Sequence, residues 1–355
     1  METYSNPLFF YRLTMIRFNS DYMEGAHPAI LKRLNETNLT KIDGYGLDDF
    51  CSSAREKIRQ ACQCPEANVQ FLVGGTQTNA IVIDAILSHN EGVLACETGH
   101  INQHEAGAIE ACGHKILTLE QQDGKISSLT LAQYLKDFFG SGFGYEHIVV
   151  PKAVYISNPT EYGTVYTLNE LQDIREVCDH YGLMLYMDGA RMGYGLAAKH
   201  NDLWLPDIAR LCDAFYIGGT KVGALFGEAV VITNPAIKLT LGYMKNRGAL
   251  LAKGWLLGLQ FDTLFTDDLY MRISRNAVDK AMRLREALEM KDYPIYVESP
   301  TNQLFVVVED HKMEELAKRV GFNVIEGVGN SHHVIRFATT WATTDEQIDE
   351  LISLL

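Results

Sequence analysis

Two short stretches of the chain combine residue types that do chemistry together. Residues 183–187 form a continuous apolar run of strand length ending in Asp188-Gly189-Ala190-Arg191, a carboxylate followed by a guanidinium. A second apolar run, 214–217, ends in Gly218-Gly219-Thr220-Lys221, so a lone lysine emerges from a glycine-rich turn. Ligands of α/β sheets bind outside the carboxyl ends of strands, which is where both tetrapeptides fall. A lysine amine condenses with an aldehyde cofactor, and a carboxylate on a neighbouring strand keeps a pyridine nitrogen protonated. That is the partnership pyridoxal phosphate needs to act as an electron sink. The same residues also fit an ordinary ion pair between Asp188 and Lys221, with Arg191 in solvent.

Other residues can be read in the same two ways. A short strand at 69–73 runs into Gly74-Gly75-Thr76-Gln77-Thr78-Asn79 and an apolar helix, so backbone N–H groups at a helix start make a seat for phosphate, or else a plain capped turn. His100, just past a strand at 92–96, suits either stacking on a flat cofactor ring or a structural role in a loop. Ser20, in Asn19-Ser20-Asp21, is equally readable as a cap.

These residues need a scaffold, and composition bounds it. At 355 residues the chain exceeds the roughly 250–300 at which single cores stop growing, so two lobes are expected. A formal charge of −14 argues against nucleic-acid or acidic-membrane binding, because both need a basic face. No apolar run approaches the roughly 20 residues that cross a bilayer. The cysteines are scattered, Cys62-x-Cys64 alone supplies no zinc site, and free thiols in a reducing compartment follow. Phe9-Phe10-Tyr11 follows an acidic lead and is cut short by Arg12, unlike a secretory signal, so a cytoplasmic protein is expected. Residues 1–14 read as a flexible lead or an over-long start.

Strands are expected near 69–73, 92–96, 114–119, 147–157, 183–187, 214–217 and 228–232, most of them separated by helices. This pattern predicts an α/β fold with a seven-stranded, mostly parallel sheet. A glycine-rich loop is expected at 140–144 and a long, largely helical segment over 238–265. After a helix at 274–290 the pattern changes to short strands at 295–298, 304–308, 323–325 and 334–337, with helices at 314–320 and 346–355. The expected division is an N-terminal segment over 1–33, a large cofactor-binding domain over 34–265 and a small α+β domain over 266–355.

From about Phe18 to the C-terminus the assembled motifs resemble the pyridoxal-phosphate enzymes of fold type I, and within them the low-specificity threonine aldolases of the β-eliminating lyase family. The motifs are Asn19-Ser20-Asp21, Tyr45-Gly46-x-Asp48-Asp49, Gly75-Thr76-x-Thr78-Asn79, His100 with Glu105-Ala106-Gly107, Asp188-Gly189-Ala190-Arg191, and Lys221. The resemblance implies that Lys221 holds the cofactor, Asp188 pairs with its ring nitrogen, Gly75 and Thr76 bind its phosphate and His100 stacks on it. It further implies that Ser20, Arg191 and Arg336 hold a substrate carboxylate, with Arg191 also near the cofactor. His147 is the nearest match to a second catalytic histidine. The chain departs from the family in Thr220-Lys221-Val222-Gly223-Ala224, in Asn246-Arg247-Gly248-Ala249-Leu250 and in Asn158-Pro159-Thr160-Glu161. The base that takes the substrate's hydroxyl proton is left unassigned.

The implied reaction is cleavage of a small β-hydroxy-α-amino acid, such as threonine or allo-threonine, to glycine and an aldehyde. The implied assembly is a homo-oligomer, dimer or tetramer, with sites near the subunit interface. Two alternatives stand beside it: β-elimination or transamination on the same scaffold, and a cofactor-holding protein without turnover.

Overall fold

The structure is a computed structural model describing residues 15–140 and 147–355. The lead at 1–14 and most of the glycine-rich stretch at 140–144 fall outside these residues, while Gly140 ends the helix Ser128–Gly140. In chain order the strands are β1 (Ile16–Arg17), β2 (Asn68–Leu72), β3 (Glu91–Cys96), β4 (Lys115–Leu119), β5 (Val150–Ser157), β6 (Met184–Asp188), β7 (Ala214–Gly218) and β8 (Glu228–Ile232), followed by β9 (Ile295–Val297), β10 (Gln303–Glu309), β11 (Val320–Gly321), β12 (Asn323–Val328) and β13 (His332–Ala338).

Seven of them form one sheet in the order β2-β8-β7-β6-β5-β3-β4. The five from β7 to β4 run parallel, and all residues of β7 and β8 are buried, as expected of a sheet covered on both faces. β8 runs antiparallel to both β7 and β2. The short connection between β7 and β8, residues 219–227, leaves no room for the helical crossover that a parallel neighbour requires, so the chain doubles back. Lys221 sits in this short return.

The helix Leu168–Tyr181 keeps its expected bounds because its ends are encoded locally. Thr167 and Glu170 make a reciprocal cap, and Gly182 closes the other end at φ 66°, in the left-handed region. The long segment expected at 238–265 instead splits into helices Leu241–Asn246 and Trp255–Leu264, with Gly248 at φ 70° between them. The helix expected at 314–320 lies at Asp310–Ala317, because Val320 and Gly321 are drawn into parallel pairing with β1.

The second sheet, β12-β13-β10-β9, is antiparallel. One helix, Leu269–Met290, joins the two lobes: Leu269, Tyr270, Ile273, Ala277 and Val278 belong to the large core, whereas Ala281, Leu284 and Leu288 pack with Leu304, Ile335 and Phe337 in the small one. Phe18 is also in the small core and bonds Gly321 and Ala338 through its backbone, which places Asn19-Ser20-Asp21 at the junction.

The helix Trp255–Leu264 supports the lysine loop. Its Gln260 Oε1 accepts the Leu225 N–H at 2.7 Å, and its Asp262 carboxylate takes Arg33 and Lys57 at 2.6 Å each. Its close approach to the helix Asp49–Ala61 requires Gly258, since a Cβ there would lie 2.6 Å from Cys51 Cα, on backbone that cannot move aside. Gly258→Ala is therefore expected to destabilise the protein by about 1–3 kcal/mol, read as a lower urea midpoint at unchanged m-value.

Candidate active site

Asp188 ends β6, and its carboxylate is buried. Oδ2 accepts from Tyr155 Oη at 2.7 Å and Asn79 Nδ2 at 3.0 Å, while Oδ1 accepts the Ala190 N–H at 2.9 Å. Burial alone would raise its pKa, but the charge of His100 and hydrogen bonds from Tyr216, Asn79 and Tyr155 outweigh burial and lower it. Asp188 is thus an ionised carboxylate with its donors already in place. Gly189 is required here because a Cβ would collide with the Tyr216 carbonyl on β7.

Asn79 connects this carboxylate to His100. The Asn79 amide donates to Asp188 and also to Glu105 Oε1 at 2.7 Å, and its own oxygen accepts from Tyr186 Oη at 2.9 Å. Glu105 Oε1 in turn lies 2.8 Å from His100 Nδ1. Burial would lower the His100 pKa; the Glu105 hydrogen bond and the Asp188 charge raise it instead, favouring the protonated ring.

Lys221 follows β7 on the short return and is half-buried. Desolvation, then the nearby Arg191 charge, lower its pKa, which favours the neutral amine. Among the described residues it has no ion-pair partner within 4 Å, although its Nζ lies 6.0 Å from the centre of the Tyr22 ring. Beneath it, Glu228 accepts from Thr220 Oγ1 at 2.6 Å and from the Gly219 N–H at 3.0 Å. Burial pushes the Glu228 pKa up to about 7 despite those bonds.

The small lobe and the N-terminal segment close the other side. Arg191 Nε and Nη2 grip both oxygens of buried Asp21 at 2.6 and 3.0 Å, which leaves Nη1 as its edge for an incoming group. Arg336, on β13, donates from Nη1 to Gln303 Oε1 at 3.0 Å and from Nη2 to the Asn19 carbonyl at 3.2 Å. Buried Ser20 Oγ, Gln303 Nε2 and Arg336 Nε have no hydrogen-bond partner among the described residues. Donors left unmatched in this way suit a carboxylate. At the start of the helix Gly75–Ile86 no side chain caps the first turn, and Gly75 lets it approach Tyr216 Oη, to which a Cβ would lie 3.1 Å. An uncapped helix start with half-buried Gly75 and exposed Thr76 suits a phosphate.

His100, Arg191, Lys221 and Arg336 line a single cavity of about 660 Å³, with Tyr22, His104, Glu161 and Tyr162 on its walls. His147 is not brought to it. That residue is exposed just before β5, whose far end carries Ser157 beside Asp188, so about 25 Å of extended strand separates it from the site. Sequence reasoning passed over Asp21, Glu105, Glu161 and Glu228. Asp21 and Glu105 stand inside motifs already singled out, but nothing in one sequence marks them as the partners of Arg191 and His100.

Burial would raise the Asp21 pKa, but Arg191 and Lys221, helped by hydrogen bonds from Arg191 and Asn302, hold it far below the usual carboxylate range. In the unfolded chain Asp21 titrates near about 4. The stability it contributes is therefore complete above that pH and is lost as pH falls toward the lower folded value. Asp21→Asn leaves the Arg191 charge buried without its counter-charge and is expected to cost about 3 kcal/mol at pH 7. Urea unfolding between pH 7 and pH 3 should show a smaller acid-side decline in the variant than in the wild type.

A family model described as Beta-eliminating lyase matches residues 18–311. The low specificity L-threonine aldolase of Pseudomonas aeruginosa is 28% identical over 346 residues, 94% of this chain and 95% of that one. A threonine aldolase structure from Leishmania major superposes with a TM-score of 0.92 at 40% identity, covering 96% of this chain and 98% of that one. An aspartate aminotransferase from Thermus thermophilus superposes with a TM-score of 0.71 at 13% identity over 98% and 93% of the two chains, a likeness of fold alone. The architecture is that of the fold type I pyridoxal-phosphate enzymes, and the chain belongs to the β-eliminating lyase family.

Proposed function

We propose that the protein is a pyridoxal-phosphate-dependent carbon–carbon lyase that cleaves β-hydroxy-α-amino acids, threonine and allo-threonine among them, to glycine and an aldehyde. The observation that carries this reading is the placement of the Lys221 amine, without an ion-pair partner among the described residues, on the same cavity as Arg336, with the buried Asp188 carboxylate anchored at the adjacent strand end. The relatives named for threonine cleavage support the same reaction.

The residues present fit the cofactor. Lys221 is the amine that would hold it, the uncapped helix start at Gly75 and Thr76 would take its phosphate, Asp188 would face its ring nitrogen, and His100 would lie against it. When bound, pyridoxal phosphate supplies a ring that accepts an electron pair released at the substrate α-carbon. Asp188 would keep a proton on the ring nitrogen, because the groups that lower its pKa against burial favour a full negative charge on the carboxylate. Lys221 would hold the cofactor through Nζ, where burial and the Arg191 charge lower its pKa and so favour the neutral amine. Arg336 Nε, Ser20 Oγ and the free Nη1 of Arg191 bind the substrate carboxylate and so orient the bond to be broken.

The seven cysteines are free, which supports a reducing, cytoplasmic setting, and among the described residues no helix is long and apolar enough to cross a membrane. Exposed Tyr45 and Leu47, on the loop whose Tyr45 N–H bonds the Ala252 carbonyl, give that region an apolar face that supports a homo-oligomer.

Protein loaded with pyridoxal phosphate and offered L-threonine or L-allo-threonine is expected to release glycine and acetaldehyde in equal amounts; a keto acid without aldehyde would overturn the reaction class. Lys221→Ala should lose the cofactor's protein-bound visible absorption. Borohydride followed by peptide mapping should label Lys221 in the wild type, and a label on Lys245 or Lys253 instead would contradict the assignment. Arg336→Ala is expected to lower kcat/KM by about one to two decades, the equivalent of ~1.5–3 kcal/mol, with cofactor affinity unchanged. Arg336→Lys should recover little of that, because an ammonium cannot reproduce the planar group that bonds Gln303 and the Asn19 carbonyl while turning Nε to the substrate.

A further inference from the structure

We propose that Glu161 is the residue that takes the proton of the substrate's side-chain hydroxyl, an inference that rests on the aldol cleavage proposed above. Glu161 follows β5 in Asn158-Pro159-Thr160-Glu161 and forms part of the wall of the cavity that holds Lys221, Arg191 and Arg336. Its Oε1 is occupied, accepting from Ser157 Oγ at 2.7 Å and from the His100 N–H at 2.9 Å. Its Oε2 has no hydrogen-bond partner among the described residues. A carboxylate anchored through one oxygen, with the other buried in the cavity wall and unpartnered, has a fixed position and one proton site that a substrate hydroxyl would satisfy.

Other titratable groups at or beside the cavity suit the task less well. His100 is tied through Nδ1 to Glu105, and that bond with the Asp188 charge raises its pKa against burial, which makes its ring a less available proton acceptor. Asp188 has both oxygens bonded. Lys221 is committed to the amino group. His104 also lines the cavity, but no hydrogen bond to its ring holds it in place among the described residues, whereas Glu161 is held from two sides. Burial raises the Glu161 pKa and the Asp188 charge adds to it, against the Ser157 hydrogen bond and the His100 charge, so its basicity moves toward neutral pH.

In the proton transfer, the hydroxyl O–H bond breaks and its proton goes to Glu161, while the O–H electron pair becomes the second bond of the aldehyde carbonyl. The Cα–Cβ bond breaks, its pair remains with the α-carbon, and a proton taken up there yields glycine. Glu161 returns its proton to solvent, so no oxidant or reductant is needed.

A two-reaction comparison tests this. Exchange of the α-hydrogen of glycine in D2O, followed by NMR, needs the loaded site but no hydroxyl base, whereas cleavage of allo-threonine needs both. Glu161→Gln keeps an oxygen for Ser157 and the His100 N–H, and is expected to lower cleavage about 10²- to 10⁴-fold while exchange stays within a few-fold of wild type. Glu161→Asp, a shorter base, should recover part of the loss. Cleavage by Glu161→Gln within tenfold of wild type would overturn the assignment. So would a parallel loss of both reactions in Glu161→Gln and Glu161→Asp, which would mark Glu161 as a support for His100. Loss of cleavage in His104→Asn beside near-normal cleavage in Glu161→Gln would transfer the role to His104. A wild-type protein that exchanges glycine but cleaves no β-hydroxy amino acid would overturn the proposed reaction, and this assignment with it.

Discussion

A carboxylate buried at the end of a strand is tolerable only if its lone pairs are met by donors, and Asp188 sets that requirement for the sheet around it. Its donors come from separate parts of the chain: Tyr155 on β5, Asn79 on the helix after β2, and the backbone of Ala190 in its own turn. Tyr155 can reach because β5 and β6 are parallel neighbours in a register that places Ser157 opposite Asp188. Tyr216 contributes from β7 on the other side. Sheet order, register and the ionisation of this carboxylate are therefore one problem with one solution.

Charge is then distributed outward from Asp188 by hydrogen-bonded relays. Asn79 passes its constraint to Glu105, and Glu105 orients His100 and raises its pKa against burial. A second relay runs through Asp21, which occupies most of Arg191 and is itself bonded by Asn302 in the small lobe. A chain of net charge −14 thus gathers Lys221, Arg191 and Arg336 around one cavity. Local burial and pairing, not net charge, decide what that cavity attracts.

The lobes contribute in different ways. The large sheet fixes Asp188, His100 and Lys221 through strand ends that packing on both faces makes rigid. The small lobe delivers Arg336 from β13, whose neighbours Phe305 and Asn323 also line the cavity. The helix Leu269–Met290, rooted in both cores, carries the relative position of the two. Phe18 anchors the N-terminal segment in the small core and leaves Asp21 bonded to Arg191, so this side of the cavity is assembled from parts of the chain far apart in sequence.

The sequence by itself determined what nearest-neighbour chemistry encodes. The apolar runs marked the strands of the main sheet, the Thr167–Glu170 cap and Gly182 bounded one helix, and the motif residues Asp188, Lys221, His100 and Arg336 stood where strand ends or ordered motifs placed them. Tertiary structure decided what depends on contact across distance. It reversed β8, because a short return cannot cross over, and it broke the 238–265 helix at a left-handed glycine. It put His147 at the wrong end of β5, since approximate spacing along a chain says nothing about which end of a strand a residue occupies. It also supplied Asp21, Glu105, Glu161 and Glu228, acidic residues whose partners follow from which groups packing buries beside them. That burial is a property of packing and is not encoded in any local stretch of residues.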